Sequence, residues 1–262
     1  SAILPMSPPI LTLTTDFGLS DHYVGSMKGV ILGICPQAQI VDISHQVTPY
    51  AVSEGAFRIA QAYRAFPRGT VHVVVVDPGV GSARRPILMV AAGQYFIAPD
   101  NGVLSMIAAR EEHKVRVISN ERYFRHPVSQ TFHGRDIFAP VAAHVAAGVA
   151  PSRVGKLITD YVRPAFAKPR RTDPNTWTGE ILAIDRFGNI VTNFHAIEYP
   201  AFSVLTIGRA KIRQLVNNYA EAPAGTLVAI EGSSGFLEIS IREDSAAAKV
   251  KCRVGDSCHI SP

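Results

Sequence analysis

Long apolar runs are missing from this sequence. The longest are short β-type stretches such as residues 73–76, so no membrane-crossing helix is expected. Cysteine is scarce. Cys35, Cys252 and Cys258 are odd in number and form no CxxC pair, which argues for reduced thiols in a cytoplasmic protein and against a zinc site. The opening SAILPMSPP lacks the basic region and apolar core of a secretion signal, and the residues before Met6 read as a cloning remnant. Charged residues make up only 18% of the chain against 47% apolar ones, so a disordered chain is excluded and a packed core is expected. The formal charge of +5 comes from scattered residues. The densest basic run, KPRR (168–171), lies in a linker-like stretch rather than on one face, so no nucleic-acid partner is expected.

What is present divides the 262 residues into two textures. From residue 10 to about 150, short β-rich runs alternate with helical ones. ILTLTT (10–15) and QIVDIS (39–44) read as strands around a helix over 23–34. Over 52–66, Ala56, Ile59, Ala60 and Tyr63 repeat on one helical face. TVHVVVVD (70–77) is the unbroken β-branched run of a strand covered on both sides. ILMVAA and YFIAPD follow as strands, then helices over about 102–110 and 137–149. This rhythm predicts an α/β N-terminal domain (8–162) with a mostly parallel central sheet. Residues 163–176, rich in proline and charge without a period, read as a linker. Beyond them TGEILAID, NIVTNF, SVLTI, KIRQLV, TLVAIEG, FLEISI and DSCHIS predict a small all-β, barrel-like C-terminal domain (177–262).

In an open α/β sheet, ligands bind at the carboxyl ends of the strands. The strand ends here offer Asp16, Asp42 with His45, Asp77, and Asp100 with Asn101. Carboxylates repel phosphate, so this edge is not an anion site, although any one aspartate could equally cap a helix or close an Asx turn. VVVVDPGVGSARRP (73–86) lacks the GxxxxGK[ST] and GxGxxG spacings of phosphate-binding loops. Its glycines instead let Arg84 fold back toward Asp77, as a structural ion pair or as part of a site that His133, in QTFHGRDIF (130–138), would complete. The DFG at 16–18 has no kinase motifs around it, and GSSG (232–235) is not GxSxG. In AIDRFGNIVTNF (183–194), Asp185 and Asn189 bracket Phe187 and Gly188, either as a bare hairpin or as a seat for a nucleobase and a cationic amine.

TTDFG (14–18), VDPGVGSARR (76–85), APDNG (98–102), TFHGRDIFAP (131–140), IDRFGNIVTNF (184–194) and EGSSGFLEI (231–239) stand in an order and spacing that resemble the S-adenosyl-L-methionine (SAM) hydroxide adenosyltransferases. That family also contains the fluorinating and chlorinating enzymes, and the resemblance covers nearly the whole chain after residue 9. It implies an α/β domain joined to a β-barrel, hydrolysis of SAM to adenosine and L-methionine, no cofactor or metal, and a homotrimer binding SAM between neighbouring subunits. It maps the family's water-binding trio onto Asp77, Arg84 and His133. Asp16 would bind the ribose hydroxyls beside Tyr50, and Asp185 the methionine amino group. Phe187 and Asn189 would contact adenine with backbone around Ala246, and Ser233 and Ser234 would approach the methionine carboxylate. A SAM-dependent halogenase and a non-catalytic nucleoside-binding protein are the rival readings. The complete trio, and the lack of an unassigned loop between Asp77 and His133 where halogenating members carry an insertion, favour water over halide. IREDSAAAK (241–249) departs from the family's glycine–asparagine–alanine–alanine run, which weakens the adenine contacts there.

Overall fold

The computed structural model describes residues 7–164, 168–199 and 202–261, and the chain divides into two compact units, 1–164 and 165–262. The first contains β1 (Ile10–Thr15), α1 (Tyr23–Ile34), β2 (Gln39–Ser44), α2 (Val52–Ala62), β3 (Val71–Val75), β4 (Pro86–Ala91), β5 (Gln94–Pro99), α3 (Ser105–Ala108), β6 (His113–Val117), α4 (Ala139–Ala146) and β7 (Leu157–Ile158). Its seven strands run in the order β2-β1-β3-β5-β4-β6-β7. Leu11, Leu13, Val71, Val73 and Val75 line one side of the sheet, packed with Val24, Met27 and Ile31 of α1 and Val141, Ala142 and Val145 of α4. All five residues of β3 are buried, as the β-branched run demands.

The sheet is mixed rather than mostly parallel. β1–β2, β1–β3 and β3–β5 pair in parallel, whereas β4–β5, β4–β6 and β6–β7 are antiparallel. The cause is the two-residue connection between β4 and β5. Ala92 and Gly93 have φ of 52° and 72°, the left-handed pair of a tight hairpin, and so short a link cannot return a strand in parallel.

The second unit comprises β8 (Arg170–Asp173), β9 (Thr176–Ile184), β10 (Ile190–His195), β11 (Val204–Ile207), β12 (Ala210–Ile212), β13 (Leu215–Val216), β14 (Val228–Glu231), β15 (Phe236–Ser240), α5 (Ala246–Val250) and β16 (Ser257–Ser261). Its main path is β12-β11-β16-β9-β10-β15-β14-β13. This is a curled half-barrel, with no pairing of β12 to β13 among the described residues. β8 lies in the stretch read as linker and pairs with β9, while residues 165–167 of that stretch fall outside the described residues.

One polar line crosses the first core. Thr12 Oγ1 bonds His72 Nδ1 at 2.7 Å, His72 Nε2 bonds Gln94 Oε1 at 3.2 Å, and Gln94 Nε2 donates to the carbonyls of Tyr63, Phe66 and Pro67. Burial lowers the His72 pKa to about 4 against a hydrogen bond to Gln94 that raises it. The unfolded chain therefore takes up a proton near pH 6.5 that the fold refuses until about 4, and stability falls through that window, by on the order of 3 kcal/mol from this group. Melting temperatures measured from pH 7 to pH 4.5 should show this loss, and His72→Gln should flatten it; an unchanged slope would rule out His72 as its source.

Candidate functional site

Parallel strands β1 and β3 end at the same edge of the sheet, and their aspartates meet there. A cavity of about 350 Å³ is lined by Asp16, Phe17, Tyr23, Tyr50, Asp77, Phe132 and His133, with Val75, Val80, Pro49, Thr131 and Gly134 between them. The other strand-end acids are used elsewhere. Asp42 pairs with Lys28 and His45, and Asp100 accepts from Arg85 and from the Val162 backbone N–H.

The Asp77–Arg84 loop folds back as the glycine spacing suggested. Arg84 Nε donates to Asp77 Oδ1 at 3.0 Å and Oδ2 at 2.9 Å, and its NH2 group also reaches Asp77 Oδ2. The same NH2 group lies 2.8 Å from His133 Nδ1. The pair is dry, with Asp77 and Arg84 side chains 4% and 9% exposed. The guanidinium also sits over the buried Phe138 ring, 5.2 Å from its centroid. A guanidinium has only donors, so His133 Nδ1 must accept, and the neutral imidazole carries its proton on Nε2. Burial lowers the His133 pKa and the Arg84 charge lowers it further, so the ring is held neutral.

Two local devices aim these groups. Gly81 has φ of 76°, and a side chain there would run into the Gln130 carbonyl, so the arginine loop packs directly on the segment leading to His133. That segment enters a π-turn, Gly134–Phe138, just after His133. It is pinned by the fully buried Asp136, which accepts from Ser129 N at 2.9 Å, Arg135 Nε at 2.7 Å and Arg125 NH1 at 3.2 Å. Burial alone would raise the Asp136 pKa, but Arg135 and Ser129 outweigh it and bring it to about 2. Sequence reasoning missed Asp136, although it stands three residues from His133 in TFHGRD.

On the opposite wall, Asp16 Oδ2 accepts from Tyr50 N at 2.8 Å. Burial raises the Asp16 pKa, the Tyr50 bond opposes it, and the Asp77 charge adds to the rise. Tyr50 has φ of 68° and is 72% exposed, a strained aromatic at the rim. Tyr23 and Phe17 both meet Phe132 edge-on, with centroids 5.0 and 6.1 Å from it. This aromatic wall was also missed, because Phe132 lies more than a hundred residues from Phe17 and Tyr23.

In the second unit, a cavity of about 710 Å³ is lined by Asp185, Phe187, Asn189, Tyr219 and the segment 241–245. Asp185 Oδ1 accepts from Phe187 N and Asn189 N, both at 2.9 Å, and Oδ2 accepts from Asn189 Nδ2 at 2.8 Å. Phe187 projects into solvent, 78% exposed. Gly188, with φ of 83°, leaves room for Ser245, whose Oγ caps α5. The Ala246 side chain is fully buried in the second core, leaving only backbone for any ligand contact, because the first turn of α5 packs inward. Ser233 and Ser234 lie in the β14–β15 turn, off the wall of this cavity. Among the described residues, no group of three or more His, Cys, Asp or Glu could hold a metal ion, and no helix is long and apolar enough to cross a membrane.

The SAM hydroxide adenosyltransferase N-terminal domain matches residues 11–155, and the C-terminal domain of the same family matches 179–259. The chain belongs to this family. It is 36% identical to the (R)-S-adenosyl-L-methionine hydrolase of Methanocaldococcus jannaschii, over 91% of this chain and 90% of that protein. A fluorinase of an Actinoplanes species is 34% identical over 71% of this chain and 72% of its own. A crystal structure of an uncharacterized conserved protein from Thermotoga maritima superposes with a TM-score of 0.84 at 37% identity, covering 97% of this chain and all (100%) of that one.

The tautomer of His133 follows from the geometry and can be read directly. Long-range ¹H–¹⁵N spectra should show His133 protonated on Nε2, titrating below the ordinary histidine range. In Arg84→Gln its pKa should rise, since a cation is removed and Asp77 is left unpaired beside it. A proton on Nδ1 would contradict the arrangement.

Proposed function

We propose that this family member hydrolyses SAM to adenosine and L-methionine by in-line attack of water on the ribose C5′. One observation carries the chemistry: a dry guanidinium held between a carboxylate and a neutral imidazole, both of which line a cavity with aromatic walls. The sulfonium leaves as a neutral thioether, so the leaving group needs neither a proton nor a Lewis acid. The difficulty is the nucleophile. Arg84 stays charged at any working pH and favours hydroxide character in a water beside it.

His133 is the wrong proton acceptor, because its one basic nitrogen already accepts from Arg84. Asp77 is then the acceptor within the trio, passing the proton on to solvent, while His133 orients Arg84 and presents an N–H. As C–S breaks and C–O forms, the sulfonium charge and the developing hydroxide charge cancel, and a closed pocket strengthens that attraction. In this reading Asp16 holds the ribose hydroxyls beside Tyr50. Phe187 and Asn189 hold adenine with backbone near Ala246, Asp185 holds the methionine ammonium, and Ser233 and Ser234 approach its carboxylate. The two cavities act together when neighbouring subunits of a homotrimer bring them to one substrate. The free thiols of Cys35, Cys252 and Cys258 suit a cytoplasmic setting.

The hydrolase relatives are named for the (R) form of S-adenosyl-L-methionine, so both sulfonium epimers belong in the test. In ¹⁸O-water the protein should release adenosine and methionine in equal amounts with the label in the 5′-hydroxyl. Unlabelled adenosine, or 5′-halo-adenosine formed with added chloride or fluoride, would overturn water as the nucleophile. Arg84→Ala should keep its fold and lose about 100-fold or more in kcat, the scale expected for removing a preorganised charge; full retention would remove the trio from the mechanism.

A further inference from the structure

The ammonium group of the substrate has three protons to place, and Asp185 alone cannot receive them. Its carboxylate already accepts three hydrogen bonds from its own turn, of about four lone-pair sites. The strand register shows what lies beside it. Ala183 pairs with Val191 and Val191 with Glu238, while Glu238 pairs with Ile230 and Ser240 with Val228. Directly paired residues share a face, and alternate residues along a strand return to it. Asp185, Glu238 and Ser240 therefore stand on one face of the second sheet.

Tyr219 closes this face. Its hydroxyl is 3.5 Å from Glu238 Oε2, and its ring lines the same cavity as Asp185. Gly232 of the EGSSG turn presses so closely on Glu238 that any side chain there would collide with the carboxylate, which ties the serine turn to this spot. Neither Asp185 nor Glu238 forms an ion pair among the described residues. Burial raises the Glu238 pKa and the Asp185 charge raises it further, against the Tyr219 hydrogen bond, while Arg242 on the same cavity lies 4.0 Å from Glu243. Ser240 on the same face is fully buried, its Oγ interacting with the Tyr219 hydroxyl but making no hydrogen bond of normal geometry.

We propose that Glu238 is a second anionic ligand of the substrate's α-ammonium group, completing with Asp185 a subsite that selects the amino-acid arm of the sulfonium. This rests on the SAM reading above. Such a subsite distinguishes SAM from sulfonium nucleosides that lack the amino-acid chain, because the paired carboxylates are relieved of their repulsion only when an ammonium enters.

The test compares SAM with 5′-deoxy-5′-(dimethylsulfonio)adenosine, which keeps the sulfonium and the nucleoside but has no ammonium. Glu238→Gln, close to isosteric, should raise KM for SAM about 10- to 100-fold, the worth of a hydrogen bond to a charged group. It should change KM for the dimethyl analogue less than about twofold. Equal losses on both substrates would mean that Glu238 is structural or senses the sulfonium, and an unchanged KM for SAM would mean it touches nothing; each overturns the proposal. Calorimetric binding of both compounds to wild type and variant reads the same contrast without turnover. Absence of SAM hydrolysis by wild type would defeat the hydrolase reading alone, whereas binding contrast lost only in the variant would still support the subsite.

Discussion

A single guanidinium organises the first unit. Arg84 cannot give up its proton, and it sits where water is nearly excluded, so its charge has to be answered by neighbours. Asp77 supplies the opposite charge through the loop's own curvature. His133 supplies a lone pair from a segment 49 residues further along the chain. That second partner constrains most of the surrounding backbone. The 129–138 segment must come close enough to touch, which only a glycine at position 81 permits, and it must stop at one height, which Asp136 enforces from below. A protonated imidazole would have no lone pair for Arg84 and would repel its charge. Its burial beside the guanidinium lowers its pKa and keeps Nδ1 an acceptor toward Arg84.

The two cavities share a principle with opposite contents. In the first, the protein answers the cation with a carboxylate and an imidazole lone pair, while NH1 forms no hydrogen bond among the described residues. In the second, Asp185 and Glu238 stand on one face of the sheet and neither forms an ion pair among the described residues. A satisfied charge polarises a reactant and an unsatisfied one captures a ligand of opposite sign. Both arrangements cost stability in isolation.

The sequence was most informative where structure is local. The bounds of β1, α1 and β2 match the expectation, since runs of β-branched residues and a helical repeat need no distant partner to identify them. Asp77 and Arg84 were legible because seven residues around a proline–glycine turn can only double back. His133 was named from its glycine-containing loop only as a candidate third partner, since its contact with Arg84 depends on tertiary packing that no window of sequence contains. The direction of β4 was available but unread: Ala92 and Gly93 between two apolar runs is a hairpin signal, and it turns the sheet from parallel to mixed. β8 escaped because Arg170–Asp173 is entirely exposed and carries no apolar alternation. Glu238 escaped for the opposite reason, since in FLEISI it reads as the outward residue of an alternating strand.

The difference between water and halide as nucleophile can be argued from the same atoms. A halide brings its own charge and needs only to be stripped of water, which neutral donors and apolar walls accomplish. Water brings no charge and must be persuaded to share a proton, which requires a fixed cation beside it and a carboxylate within reach. A buried Asp77–Arg84 pair is a poor halide seat, because the carboxylate would repel the ion that the guanidinium attracts. For water the same pair is an advantage, with each partner addressing a different end of the O–H bond. The neutral His133 fits only the second case: it lends Arg84 an acceptor without adding charge, leaving the balance between cation and carboxylate near zero until the nucleophile begins to ionise.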